Sequence, residues 1–263
     1  MTLDLDELIG NWECPAGELR ARTVNGRDGR ELLQLRIDLG VMQMFTDGRP
    51  DGARYHGLAS ARTYAEHELR VGGEQLTTAD WQEVERELLQ TNYRRMAFAA
   101  ASEDALRANR TEDAHRFIAH ALADIEECLA DLRLLKQHEP EREDSASLEA
   151  TLVFDQARLE TQLRIIAGRF EDAIEAAETG ATALDTLLSE LGYDEEQRDA
   201  DPGLRYLWNL GNQLRQEYGI ARTLHEQLAE AIENEDFEAA AQIRDELARR
   251  DQPPSPGDNC SAC

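Results

Sequence analysis

At 263 residues the chain is long enough for one large domain or two small ones, with a real buried core. Its 54 acidic and 28 basic residues give a formal charge of -26, which repels nucleic-acid phosphates unless a basic patch is segregated somewhere, and the sequence holds no such patch. Apart from the single Lys136 the basic residues are all Arg, so the acidity can reflect a GC-rich or salt-adapted proteome as readily as a partner.

Met1 to Gly10 is acidic and lacks the basic and apolar segments of a secretion signal, and no apolar run approaches the roughly 18 residues a membrane helix needs. A cytoplasmic chain without membrane contact is expected. Cys14, Cys128, Cys260 and Cys263 are too sparse for a disulfide framework at this length and are expected to stay reduced.

From Trp12 to Phe45 the signals are those of strands. Residues 18–24 alternate, 25–29 (Asn-Gly-Arg-Asp-Gly) are turn chemistry, and 33–38 alternate again, which predicts a hairpin. Residues 41–45 add a third short strand, followed by the Gly- and Pro-punctuated loop 46–52. So small a sheet cannot bury its apolar face alone and must lie on a helix or on a second copy of itself.

Helical spacing then takes over. Segments near 59–70 and 79–101 lead to 111–137, where Ala114, Ile118, Ala121, Ile125, Cys128, Leu132 and Leu135 recur every three or four residues. Phe117, Leu122 and Leu129 widen that stripe, which favours a globular bundle over a narrow coiled coil and makes Cys128 a core residue. Pro140 and the polar run to Ser147 interrupt the chain. Helices over 148–166 and 170–191 follow, joined by Ala167-Gly-Arg169, and should form an antiparallel pair. The run Gly168-Arg-Phe-Glu-Asp-Ala-Ile174 resembles the turn of a tetratricopeptide repeat over about one unit but misses the closing Pro; an ordinary helical hairpin and a peptide-binding groove both remain open. Tyr193 to Gly203 reads as a polar linker. Beyond it Leu207, Leu210, Leu214, Ala221, Leu224, Leu228 and Ala231 occupy heptad positions, predicting a long helix with a bend or break near Gly219. The tail 251–263 has nothing apolar to bury and is expected to be disordered.

Residues 224–247 read as a helix, a turn and a second helix. Asp236 is placed to cap the second helix, with Glu238 in its first turn, Phe237 as the large apolar contact, and Ala239 to Ala241 permitting close approach. Asp245 with Arg249, and Glu246 with Arg250, have the spacing of helical ion pairs. About 30 residues in two helices cannot cover both apolar faces by themselves. Through Leu228, Ile232, Glu235-Asp-Phe-Glu238, Ala239, Ala240, Ile243, Arg244 and Asp245 the segment resembles the UVR motif, the helical hairpin shared by the excision-repair proteins UvrB and UvrC. The resemblance implies protein association: UvrB with UvrC, or self-association. A related hairpin occurs in the activator of a bacterial protein-arginine kinase, whose paired CxxC zinc motifs are missing here. It also implies partner contacts through Leu224, Leu228, Ile232, Phe237, Ala240, Ile243, Arg244, Asp245 and Leu247, with charge pairs such as Arg244 and Asp245 setting register. The alternative is a hairpin that lies on its own chain. Residues 38–44, 48–52 and 56–57 further resemble a group of uncharacterised bacterial proteins that end in UVR motifs, which brings no activity with it.

Other chemistry is thin. No Gly-x-x-x-x-Gly-Lys-Ser/Thr loop or motor-length core is present. Cys260-Ser-Ala-Cys263 is half of a zinc site or a redox pair without its other half. Asp47, Arg49, Asp51, Arg54 and His56 are the one cluster suited to acid/base work, although turn formation explains them equally. As a calcium loop the segment fails, with Arg49 and Leu58 at ligand positions. His115 and His120 lie five apart and do not match HExxH, so both are expected on a helix surface.

The expected fold is mainly α: a small β-containing region at 1–57, a helical bundle at 58–192, a long helix with the UVR hairpin at 204–250, and a tail at 251–263. The expected role is a non-enzymatic adaptor with no cofactor and no metal, binding another protein or a second copy of itself, a homodimer being one option. The alternatives are an accessory protein of nucleotide excision repair that binds UvrA or UvrB, and a small-molecule sensor or enzyme built on the 46–57 loop.

Overall fold

The computed structural model describes residues 9–250 except 11, 16, 38–39, 73–75 and 139–144. The expected break at Pro140 and the tail with Cys260 and Cys263 lie outside the described residues.

Strands β1 (Arg20–Asn25), β2 (Glu31–Ile37) and β3 (Gly40–Phe45) form an antiparallel sheet in the order β1-β2-β3. The register places Thr23, Leu33 and Met44 in one row and Ala21, Leu35 and Met42 in the next. These rows make the inner face, with Leu33 and Leu35 fully buried. The row between them is polar: Arg22 donates to the Gln34 amide oxygen (2.9 Å), and Gln34 donates to Gln43 (3.1 Å). Period-two alternation thus separates a core face from a polar face. The core face lies on a helix, α2, rather than on a second sheet.

Helix α1 (Ala61–Val71) starts at Ser60, whose hydroxyl accepts from the Thr63 amide (2.9 Å). Helix α2 (Thr78–Arg107) starts with a reciprocal Thr77/Asp80 capping box and runs past the expected end at 101. It pairs along its length with α3 (Thr111–His138). Every residue of the predicted α3 stripe from Ala114 to Leu135 is buried, opposite Val84, Leu88, Phe98 and Ala105 of α2. Cys128 is among them; burial pushes its thiol far above the usual range and makes it unreactive. His115 is exposed as expected, whereas His120 is half covered and stacks on Phe98, ring centroids 4.7 Å apart.

Helices α4 (Ser145–Ile166) and α5 (Phe170–Glu190) cross tightly, since a Cβ on Gly180 would run into the Cβ of Ala157. Helix α7 (Pro202–Tyr218) covers α5 through Leu204, Leu207 and Leu214. The expected linker at 193–203 contains a helix, α6 (Glu195–Ala200), nucleated by an Asp194/Gln197 capping box. The expected break near Gly219 divides the long helix in two. α7 ends at Gly219 in the left-handed conformation (φ 67°), and α8 (Leu224–Glu233) begins after a second capping box, Thr223/Glu226. Helix α9 (Phe237–Arg250) completes the described chain.

Helices α2, α4, α5 and α8 share one way of stopping. After α2, α4, α5 and α8 the amides of 109/110, 168/169, 192/193 and 235/236 bond back to carbonyls three and five residues earlier, the Schellman pattern. The left-handed residue of that motif is Asn109, Gly168, Gly192 and Glu235 in turn.

Candidate docking site

The C-terminal hairpin is built from its caps inward. Thr223 is fully buried; its hydroxyl accepts from the Glu226 amide (3.3 Å) while Glu226 accepts from the Thr223 amide (2.7 Å). After ten helical residues α8 closes on Asn234, Glu235 takes the left-handed turn (φ 57°), and the Asp236 carboxylate accepts from the Ala239 amide (3.0 Å), starting α9. The expected cap at Asp236 is thus present.

The two helices meet over small side chains, Ala231 and Ala240, both buried. Leu224, Leu228, Ile243 and Leu247 are half-buried. Arg244 and Asp245 are exposed and pair with one another at 3.5 Å. Ile232 and Phe237 are not drawn into this interface: they are 55% and 70% exposed. The inward positions of α8 are 224, 228 and 231. Ile232 lies one residue further round the helix and faces out, so the apolar residues expected as partner contacts divide between an inner seam and an open tip.

The hairpin touches the rest of the chain mainly through charge. Helix α5 presents Glu171, Glu175 and Glu178 in a row. Glu171 accepts from the Leu224 amide (3.1 Å) at the positive end of α8, and Glu175 meets His225 Nδ1 (2.8 Å). Glu178 is joined to Glu226 by Arg215 of α7. Arg215 Nε and Nη2 donate to the two oxygens of Glu178 (3.0 and 2.9 Å), Nη2 and Nη1 donate to those of Glu226 (2.7 and 3.1 Å), and Nη1 also reaches the Ala221 carbonyl (3.3 Å). All five guanidinium donors are used, a fork geometry Lys cannot reproduce. The hydrogen bond from Arg215 holds the Glu226 carboxyl below its ordinary range. Gly211, one turn before Arg215, leaves room for the Glu178 side chain, whose Cγ would lie 3.3 Å from a Cβ there. Arg215 and the α5 carboxylates were not among the expected site residues; a ring contact between Phe170 and Tyr218 (3.6 Å) completes this corner.

The 46–57 loop does not bring its five polar residues together. Thr46 to Pro50 line a cleft of about 380 Å³ with Arg62, Glu87, Arg94, Asp124, Glu127 and Asp131, while Asp51, Arg54 and His56 lie outside it. Arg49 is buried against Glu83, Asp51 (3.0 Å) and Glu87 (3.8 Å). Arg94 grips both oxygens of Asp124 (2.9 and 2.6 Å) and donates to the carbonyls of Phe45 and Gly48 (3.1 and 2.6 Å), tying the loop to the bundle. Asp51 accepts from Ala53 and Gln90, Arg54 donates to the Gly57 carbonyl, and His56 stacks on Tyr64. Asp131 faces Arg62 Nε at 2.9 Å, yet burial, with Glu87 and Glu127 nearby, pushes its carboxyl up to about 7.

Among the described residues no group of three or more His, Cys, Asp or Glu is arranged to hold a metal, and no described helix is long and apolar enough to cross a membrane. No curated protein and no solved structure matches the chain. Residues 220–250 match the family model of the UvrB/uvrC motif, a span that begins at the end of α7 and takes in the Thr223 cap, both helices and the open tip. The C-terminal hairpin of this chain is a UVR motif.

Proposed function

We propose that this protein is a non-enzymatic adaptor that works in the cytoplasm and docks another protein through the tip of its UVR hairpin. The observation that carries the proposal is the exposure of Ile232 and Phe237 on a hairpin whose inner seam is already closed by Ala231 and Ala240. An isolated exposed Leu or Ile is ordinary, but an Ile and a Phe both exposed on either side of the turn of an association motif suit a hot spot. The association role known for UVR motifs supports the same conclusion. The polar residues of the 46–57 loop are spent on holding that loop, which is why docking is preferred to a sensor or an enzyme there. The test is the full chain carrying Phe237→Asp beside the native chain. The variant should keep its helical circular dichroism and lose the proteins that copurify with the native chain. Equal recovery by both would end the proposal.

A further inference from the structure

Resting on that docking role, we infer that the tip fits an apolar surface flanked by Arg or Lys on a different protein, and not the tip of a second copy of this chain. Ile232 and Phe237 are collared by Glu233, Glu235, Asp236 and Glu238, all exposed. Among the described side chains none of these four is in an ion pair with a cation. The described arginine side chains of the motif lie in other pairs: Arg222 with Glu230, Arg244 with Asp245, and Arg249 with Glu246 at 2.6 Å. Asp236 and Glu238 have a local reason to be acidic, since they sit at the positive start of α9.

Glu233 and Glu235 have none. Glu233 closes α8, at the negative end of its dipole, where a base is favoured, and the last turn of α8 contains no base. Glu235 holds a left-handed turn (φ 57°) that the chain elsewhere gives to Asn109, Gly168 and Gly192. Residues that break local preference without a local return mark positions chosen for something outside the element. Here both add negative charge around an exposed aromatic ring.

Seating Phe237 in any surface brings this collar out of water, and a desolvated carboxylate costs free energy unless it finds a cation. Arginine suits the place twice over, pairing with carboxylates and stacking on the ring. Two tips facing each other bring two such collars together, four carboxylates from each copy, so like-charge repulsion opposes self-docking at this surface.

The experiment uses the full chain and two synthetic amphipathic helical peptides with the same leucine face, one flanked by Arg and the other by Glu, read by fluorescence anisotropy at 0.15 M salt. The Arg-flanked peptide should bind. Phe237→Ala should weaken it about tenfold, and the triple variant Glu233→Gln, Glu235→Gln, Glu238→Gln should weaken it several-fold and flatten its salt dependence. An equal neutralisation on α6, Glu195→Gln, Glu196→Gln and Asp199→Asn, should change little. If the tip and α6 variants weaken binding alike, the peptide senses only net charge and the inference is overturned. Equal, Phe237-dependent binding of both peptides, or a dimer by light scattering that Phe237→Ala dissolves, overturns the basic partner and leaves docking standing. Association indifferent to Phe237 removes both.

Discussion

The two ends of this molecule treat charge and apolar surface in opposite ways. Around the 46–57 loop, guanidinium and carboxylate groups go inside: Arg49, Arg94, Asp124 and Asp131 are buried between the loop, α1, α2 and α3. In the UVR hairpin the charges stay outside, and so do its largest apolar side chains. A buried ion pair contributes little net stability but is costly to break, so the first arrangement defines one closed geometry. An exposed Phe at a turn contributes nothing to its own fold. The first region is complete within the chain; the second is built to be completed from outside.

The sharpest way to break that comparison is at Arg94. Arg94→Ala leaves Asp124 buried without its fork and frees the Phe45 and Gly48 carbonyls. Urea unfolding should show a loss of about 3–5 kcal/mol. Replacing the pair with apolar residues, Arg94→Met with Asp124→Leu, should recover much of it; a small loss in the single variant would mean the buried charges are not structural.

Asp131 tests the same region through pH. Its folded pKa is raised to about 7 from the 3.8 of the free side chain. Between those values the folded chain holds a proton the unfolded chain has released, so this group lowers stability as pH rises from 4 to 7, by up to about 1.4 kcal/mol per unit. Lowered carboxylates such as Glu226 and Asp80 act in the opposite sense, so the quantity to measure is the native chain minus Asp131→Asn. That difference should fall across pH 4 to 7 and level off above; a flat difference would place Asp131 in a well-solvated site.

How much of this was legible in the sequence follows from the range over which each interaction acts. The α3 stripe and the sheet alternation depend on neighbours three, four or two residues away, and both appear as expected. Asp236 as a cap and the break at Gly219 are equally local. Helix α6 was missed although its signal, Asp194 three residues before Gln197, is a capping box. Arg215 could not be read at all: its partners lie 37 residues before and 11 after it, and sequence does not say which acidic residue will be opposite. The same holds for Arg49, whose loop position was seen but whose partner Glu83 on α2 was not. Ile232 and Phe237 are expected with Leu224, Leu228, Ala240, Ile243 and Leu247 as one set of partner contacts; which of them meet within the hairpin depends on the tight turn at Glu235, beyond the reach of spacing alone.

Smaller effects sharpen the contrast. Gly180→Ala should gain helix propensity, about 1 kcal/mol in an open helix, yet lose about 1–3 kcal/mol by forcing α4 from α5 at Ala157, for a net drop in thermal midpoint. Arg215→Ala should cost the whole chain about 1 kcal/mol or less, because its carboxylate partners are partly solvated. Its signature is local: faster amide exchange in α8 and α9 with α2 and α3 unchanged. Unchanged exchange in the hairpin would mean that the seam, not the α5 carboxylates, holds it in place.

The smallest effect separates folding from docking at a single residue. Glu235 has a Cβ in the left-handed region, where glycine is at no disadvantage, so Glu235→Gly should raise stability by about 0.5–1 kcal/mol, seen as a higher urea midpoint. Placing glycine at the C-terminal turn also removes a carboxylate from the collar around Phe237. A chain selected for stability alone would take that change, since it keeps both Schellman bonds, Glu235 N to the Ile232 carbonyl and Asp236 N to the Ala231 carbonyl. The expected outcome is therefore a variant that folds better and binds the Arg-flanked peptide less well. Improved folding with undiminished binding would leave the glutamate at 235 without a role in recognition and weaken the case that the tip is shaped by its partner.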